Sequence, residues 1–221
     1  MRVRIWDLPT RLFHWALVAC VIGQVITGSI GGNAMQWHFR MGYTVITLLL
    51  FRCLWGLVGG RWSRFSSFVH RPATVWAYAR GRSNDPLHEV GHSPLGSLSV
   101  LAMLLILLLQ VSAGLFADDE ISNQGPLAKF VSNEVSHAIT GYHKHVGKWV
   151  LLALVLLHIG AIVFYRVRRG RRLTGAMITG DMEFAQPDVP TSRDTLGSRA
   201  LALVLLAGCG VLVWWLIGLA G

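Results

Sequence analysis

Carboxylates are scarce in this chain: 11 Asp and Glu among 221 residues, against 20 Lys and Arg. Charged residues of both signs make up only 14% while 53% is hydrophobic, a balance that excludes an ordinary soluble globular domain. Cysteine is as thin. Cys20, Cys53 and Cys209 all fall within apolar runs and show no C-x-x-C spacing, which argues against covalent c-type haem, a zinc ribbon or an iron–sulfur cluster supplied by this chain. They read as small apolar fillers. No internal repeat suggests a transporter built from two inverted halves.

What is present is apolar sequence in long stretches, giving a mean hydropathy of +0.50. Crossing ~30 Å of hydrocarbon takes about 20 apolar residues. Five runs meet that length: roughly Leu12 to Ile30, Phe39 to Val58, Leu95 to Phe116, Val146 to Val167 and Arg199 to Leu219. The first has no small-residue cleavage signature of the usual kind and is read as a helix. The expectation is an all-α membrane protein with five spans.

The basic residues set the orientation, because Lys and Arg in short loops stay on the cytoplasmic side. Arg2, Arg4 and Arg11 precede the first span; Arg61, Arg64, Arg71, Arg80 and Arg82 lie between the second and third; Arg166, Arg168, Arg169, Arg171, Arg172 and Arg193 follow the fourth. The opposite loops hold Arg40, Lys129, Lys144, Lys148 and an acidic run, Asp118, Asp119 and Glu120. The N-terminus is therefore expected inside and the C-terminus outside. A formal charge of +9 is then topology and no nucleic-acid footprint.

Asp7 and Thr10 can cap the first helix, with Pro9 in its first turn. "GSIGGNA" is a short turn between antiparallel neighbours. From Gly59 to Pro94 the chain is polar and broken by Pro72, Pro86 and Pro94, with a short surface helix expected around Ala73 to Ala79. An external loop runs from Ala117 to Gly141. Arg168 to Ser198 is internal, and "QPDVPTSRD" reads as its loosest part.

Ionisable residues in spans are functional by default. His14 and His158 lie near the expected inner face, His38, His143 and His145 near the outer one. Helical residues turn ~100° and rise ~1.5 Å each, so His143 and His158 lie within ~60° of one face and ~22 Å apart. His145 is ~140° off that face. A single π-bulge, a device favoured at functional sites, absorbs the remaining offset. Two layers of imidazole in a four-helix bundle fit two cofactors, each gripped from both sides. Zinc would bring three or four ligands to one point instead. Gly42 follows His38 by one turn and Gly147 follows His143, which leaves room for the edge of a flat macrocycle. His70, His88, His92 and His137 lie in loops, as solvent-facing or interface groups.

These residues resemble a family. "RIWDLPTRLFHW", "WHFRMGYTVITLLLFRCLWGLVGGRWSRFSSF", "GHSPLG", the "GLFADDEI…GPL" loop and "HKHVGKWVLLALVLLHIGAI" are similar to bacterial di-haem cytochromes b, the group with bacterial cytochrome b561 and the b-type subunits of nickel-iron hydrogenases. The resemblance covers roughly residues 4 to 182, including "MITGDM". It implies a four-helix transmembrane haem-binding bundle over residues 1–182. Beyond that core the chain departs from the family's pattern, with a cytoplasmic linker (183–198) and a fifth C-terminal transmembrane helix (199–221) that has no histidine and packs or recruits a partner. The resemblance implies two bis-histidine haems b, His14 with His158 for the inner one and His38 with His143 for the outer. The family commonly separates the helix-four histidines by 14 positions and position 144 is Lys, which leaves the outer ligand between His143 and His145.

Arg40, Lys144 and Lys148 outside, and Arg11, Arg52 and Arg64 inside, are candidates for pairing with haem propionates. Arg52 lies within the second span. The resemblance further implies an electron-transfer subunit of a quinone-linked oxidoreductase in the bacterial inner membrane, set among lipid. Its partners would be the quinone pool and a periplasmic c-type cytochrome or a dehydrogenase or hydrogenase subunit, with no nucleic acid. The rival readings are a stand-alone quinone reductase, such as a superoxide:quinone oxidoreductase, and a histidine-relay transporter.

Overall fold

An aspartate fixes where the first long helix begins. Asp7 Oδ1 accepts from the Thr10 backbone N–H at 2.8 Å, an N-cap that satisfies one of the orphan donors of a helix start. The helix therefore starts at Leu8, four residues before its apolar run. The computed structural model describes every residue except 84, 122, 185–187, 220 and 221.

In chain order the described elements are β1 (Arg2–Arg4), α1 (Leu8–Ile30), α2 (Met35–Val58), the short α3 (Phe65–Phe68) and α4 (Pro72–Ala79), and α5 (Pro94–Phe116). There follow α6 (Asn133–Gly141), α7 (Lys148–Arg169), α8 (Leu173–Thr179), β2 (Asp181–Glu183) and α9 (Leu196–Gly218). A π-helical stretch, Tyr142–Gly147, joins α6 to α7 without a break. Five helical runs are long and apolar enough to cross a membrane, and the fourth extends from Asn133 to Arg169. Its early start has a local cause, since Ser132 Oγ accepts from the Val135 N–H at 3.3 Å. Large apolar side chains such as Leu156, Leu157, Phe164 and Trp214 are exposed on these helices, as lipid-facing positions should be.

The chain divides into two compact units. The first comprises residues 1–13, 52–102 and 155–203. Its core gathers Val3, Ile5, Trp6, Trp62, Val90, Ala176 and Val189. β1 and β2 pair antiparallel with Arg2 opposite Glu183 and Arg4 opposite Asp181. Gly180 makes the turn before β2 at φ 90, and a Cβ there would lie 2.7 Å from the Trp6 carbonyl, so glycine is required.

The proline-rich segment expected to be loose is a bonded strap over residues 188–195; Gln186 and Pro187 lie outside the described residues. Ser192 donates its N–H to the Arg4 carbonyl at 2.8 Å and its hydroxyl to the Ile5 carbonyl at 2.7 Å. Trp62 Nε1 donates to Pro190 at 2.7 Å, and Val189 is buried in the core.

Asp7 is the polar centre of this unit, fully buried. Besides the cap, its carboxylate accepts from the Gly60 N–H at 3.0 Å, from Ser63 Oγ at 2.8 Å and from Trp55 Nε1 at 3.2 Å. Four donors replace the water that a buried carboxylate loses.

The second unit comprises residues 14–51, 103–154 and 204–221. The stretches of α1, α2, α5, α7 and α9 within it bury Val45, Leu49, Phe51, Leu107, Leu151 and Val213. The loop after α5 folds back on that helix, with Gly125 N–H donating to Ala117 O at 2.7 Å and Leu127 N–H to Leu115 O at 2.8 Å.

Candidate cofactor site

Within the second unit, His38 on α2 and His143 in the π stretch face each other. Their ring centroids are 6.1 Å apart and their planes 85° apart. Each ring is held the same way: His143 Nδ1 lies 3.0 Å from the Gln110 carbonyl and His38 Nδ1 lies 3.1 Å from the Gln24 carbonyl. A carbonyl oxygen only accepts, so each Nδ1 carries the proton and each Nε2 keeps its lone pair. Metal–imidazole bonds run to about 2.0–2.1 Å and the ring centre lies roughly 1.1 Å behind the nitrogen, so two imidazoles on opposite faces of one metal stand about 6.2–6.4 Å apart. The observed pair fits a bis-imidazole iron.

A cavity of ≈ 320 Å³ surrounds the pair, lined among others by Gly28, Gly42, Tyr43, Gln24, Gln110, Gly114, Lys144 and Lys148. Its wall is mainly apolar with a few convergent polar groups, the usual make-up of a cofactor pocket. The glycines directly against the imidazoles are Gly28 and Gly114. A Cβ on Gly28 would lie 3.0 Å from His38 Cε1, and one on Gly114 would lie 3.2 Å from His143 Cε1. Gly42 instead borders Gln24 Nε2, and Gly147, buried, borders the Gln110 side chain. The glycine one turn along a histidine's own helix makes room for a glutamine of the neighbouring helix.

Those glutamines were missed by sequence reasoning, and a signal existed. "QVITG" at 24–28 precedes "HFRMG" at 38–42, and "QVSAG" at 110–114 precedes "HKHVG" at 143–147. This short repeat builds the same histidine cradle twice.

The other expected residues are distributed as follows. His145 is exposed and does not line the cavity. Arg40 is exposed too, its guanidinium stacked 5.1 Å over the Trp37 ring. His14 lies in the second unit, partly buried beside Trp15, and His158 lies in the first, also partly buried. Arg52 is in the first unit, 3% exposed, with its guanidinium 5.1 Å from the Phe65 ring and 5.8 Å from Phe68. Its Nη1 has no hydrogen-bond partner among the described residues.

The first unit also holds a titratable cluster outside the spans. Tyr78 donates to Glu89 Oε1 at 2.6 Å, and Arg171 grips the other Glu89 oxygen. Burial, then the bond to Glu89, pushes the Tyr78 phenol well above its ordinary value, so it stays protonated. Burial, with His88 beside it, pushes His70 down.

Helices of spanning length and a cavity flanked by opposed imidazoles define a multi-pass membrane b-type cytochrome. The family profile described as prokaryotic cytochrome b561 matches residues 5–180, and the chain belongs to that family. It is 25% identical over 188 residues to the probable Ni/Fe-hydrogenase 1 B-type cytochrome subunit of Escherichia coli (strain K12), covering 70% of this chain and 80% of that protein. It is 28% identical to the probable Ni/Fe-hydrogenase B-type cytochrome subunit of Azotobacter chroococcum mcd 1, with 71% and 78% covered. The counterpart in Rhizobium leguminosarum bv. viciae is 26% identical, with 82% and 89% covered. No solved structure matches significantly. The chain therefore binds b-type haem and carries electrons in a membrane, in exchange with a redox partner.

Proposed function

We propose that the chain holds two haems b and passes electrons between the quinone pool and a periplasmic redox partner. His38 and His143 are the axial pair of the outer haem, and the facing of their rings at 6.1 Å carries this assignment. His14 and His158 are assigned to the inner haem from the sequence alone, by their expected place near the inner ends of the first and fourth spans and by the family resemblance. Haem iron supplies the one-electron chemistry, while the protein supplies position, tautomer and local charge. Lys144 and Lys148 on the cavity wall counter the propionates of the outer group. The buried, partly unsatisfied Arg52 does so on the inner side or orients a quinone carbonyl.

The basic loops support an inner-membrane protein with its N-terminus cytoplasmic and C-terminus periplasmic. Residues 1–182 form the haem-binding core, 183–198 a cytoplasmic linker and 199–221 the fifth helix. The periplasmic partner is a c-type cytochrome or a hydrogenase-type subunit, the latter supported by the names of the relatives. A pyridine haemochrome count with quinol reduction of the purified protein tests the reading: two haems per chain, both reducible by quinol, are expected. One haem, or haems that quinol cannot reduce, would overturn it.

A further inference from the structure

The stretch that carries His143 has a support the haem reading does not use. Gln110 and His143 exchange two hydrogen bonds. The ring gives its proton to the Gln110 carbonyl, and the Gln110 amide Nε2 donates to the His143 carbonyl at 2.9 Å. The amide oxygen Oε1 is buried with no hydrogen-bond partner among the described residues. The one hydrogen bond of this side chain therefore goes to the π stretch. A Cβ at 147 would meet the Gln110 amide oxygen, so a larger residue there would displace the Gln110 side chain from its place against the π stretch.

A π turn is a rare element that occurs mostly as a single turn inside an α-helix, often at functional sites. Relaxing one residue of offset would rotate the preceding segment by about 100°, since each helical residue turns that far. His143 would then leave the cavity. His38 needs no such support, since it lies in the first turn of an ordinary α-helix, α2. The two glutamines are therefore alike in what they give through the backbone and unlike in what their side chains do.

We propose that Gln110 is a positioning residue for electron transfer: its amide holds open the π turn and so aims His143, rather than His145, at the iron. This rests on His38 and His143 being an axial pair. Loss of a group that orients a metal-bound histidine typically weakens metal binding about 10- to 100-fold.

The experiment uses the full chain in detergent with Gln110→Met, which keeps the length of the side chain and removes its N–H. Haem content, low-temperature EPR of the oxidised haems, midpoint potentials and transfer of haem to apomyoglobin are read together. The component that His38→Ala and His143→Ala each remove should shift its EPR line and potential in Gln110→Met, and give up haem about 10- to 100-fold more readily. The other component should keep its line, which also reports folding. If Gln110→Met fails to assemble, Gln110→Asn, whose amide is too short to reach the turn, is read for the same shift. A native line and potential in either variant overturns the proposal. Should His143→Ala keep both components, the axial pairing itself is wrong. Should it remove one while Gln110→Met stays native, only the role of Gln110 falls.

Discussion

His38 and His143 face each other across a cavity of ≈ 320 Å³ with their rings 6.1 Å apart and nearly perpendicular. Two neutral imidazoles held by backbone carbonyls from neighbouring helices cannot turn freely. Were a haem held between them as proposed, rings fixed in this way would lower the reorganisation that accompanies each electron.

The first prediction concerns pairing. His38→Ala and His143→Ala should remove the same spectral component, because a bis-histidine site that loses one imidazole holds its haem weakly. His14→Ala and His158→Ala should remove the other. His145→Ala should keep both, its side chain being exposed. Difference spectra of the five variants check this, and loss of the same haem from His14→Ala and His38→Ala would refute the pairing.

Gly28 and Gly114 give a second. An added Cβ at 3.0 or 3.2 Å from an imidazole carbon makes the ring give by a few tenths of an ångström. Gly28→Ala and Gly114→Ala should each perturb the component that depends on His38 and His143, with a changed EPR line and reduced haem retention. Gly141→Ala, where the added carbon meets nothing within 4 Å, is the control. Equal spectra for all three variants would argue against a crowded ligand.

A third prediction tests the first unit through Asp7. Asp7→Ala strands buried donors of Trp55, Gly60 and Ser63. A buried donor left unsatisfied costs about 1–3 kcal/mol. Asp7→Asn, which still accepts, should cost less. Thermal unfolding in detergent should rank wild type above Asn above Ala; an Ala variant as stable as wild type would remove Asp7 from the centre of the unit.

How far the sequence reached is visible at these positions. The helices and the Asp7 cap were legible because apolar length and capping are local. The π stretch was legible from the 15 steps between His143 and His158, which an unbroken helix leaves ~60° out of line. What Gly42 and Gly147 lie against was not legible, because Gln24 and Gln110 come from neighbouring helices. Spacing along one helix says which residues share a face but not what a neighbouring helix brings to that face. The strap over 188–195 was illegible because prolines and polar residues read as loose when their backbone partners, Arg4 and Ile5, are nearly the whole chain away.

Acid should expose a fourth effect. Burial by itself raises the Asp194 carboxyl, but the hydrogen bonds from Arg199 and the Leu8 N–H and the charges of Arg199 and Arg4 outweigh it and hold it below its ordinary value. A depressed carboxyl adds stability that is complete above its unfolded value and lost as pH falls through the depressed one. Wild type should therefore melt above Asp194→Asn at neutral pH, and the gap should close below about pH 4. A gap that persists unchanged at low pH would assign the effect of Asp194 to packing.

The last prediction concerns the partner. Two of the three carboxylates in the acidic run are spent on the loop itself. Asp119 accepts from the N–H groups of Ile121 and Asn123 at 3.1 and 2.8 Å, and Asp118 from Glu120 N–H at 2.8 Å and Gln124 Nε2 at 3.0 Å. Neutralising the whole run would therefore unfold the loop and confuse docking with structure. Glu120 is different: its side chain is 64% exposed and lies 3.5 Å from His137 Nδ1. If a basic c-type carrier is steered to this loop, Glu120→Gln should slow electron transfer to it about twofold to fivefold at low ionic strength and hardly at all at high, where exposed charges are screened. Asp119→Asn should instead lower the melting temperature. A Glu120→Gln rate and salt slope equal to wild type would leave the acidic run as a device for closing the loop after α5.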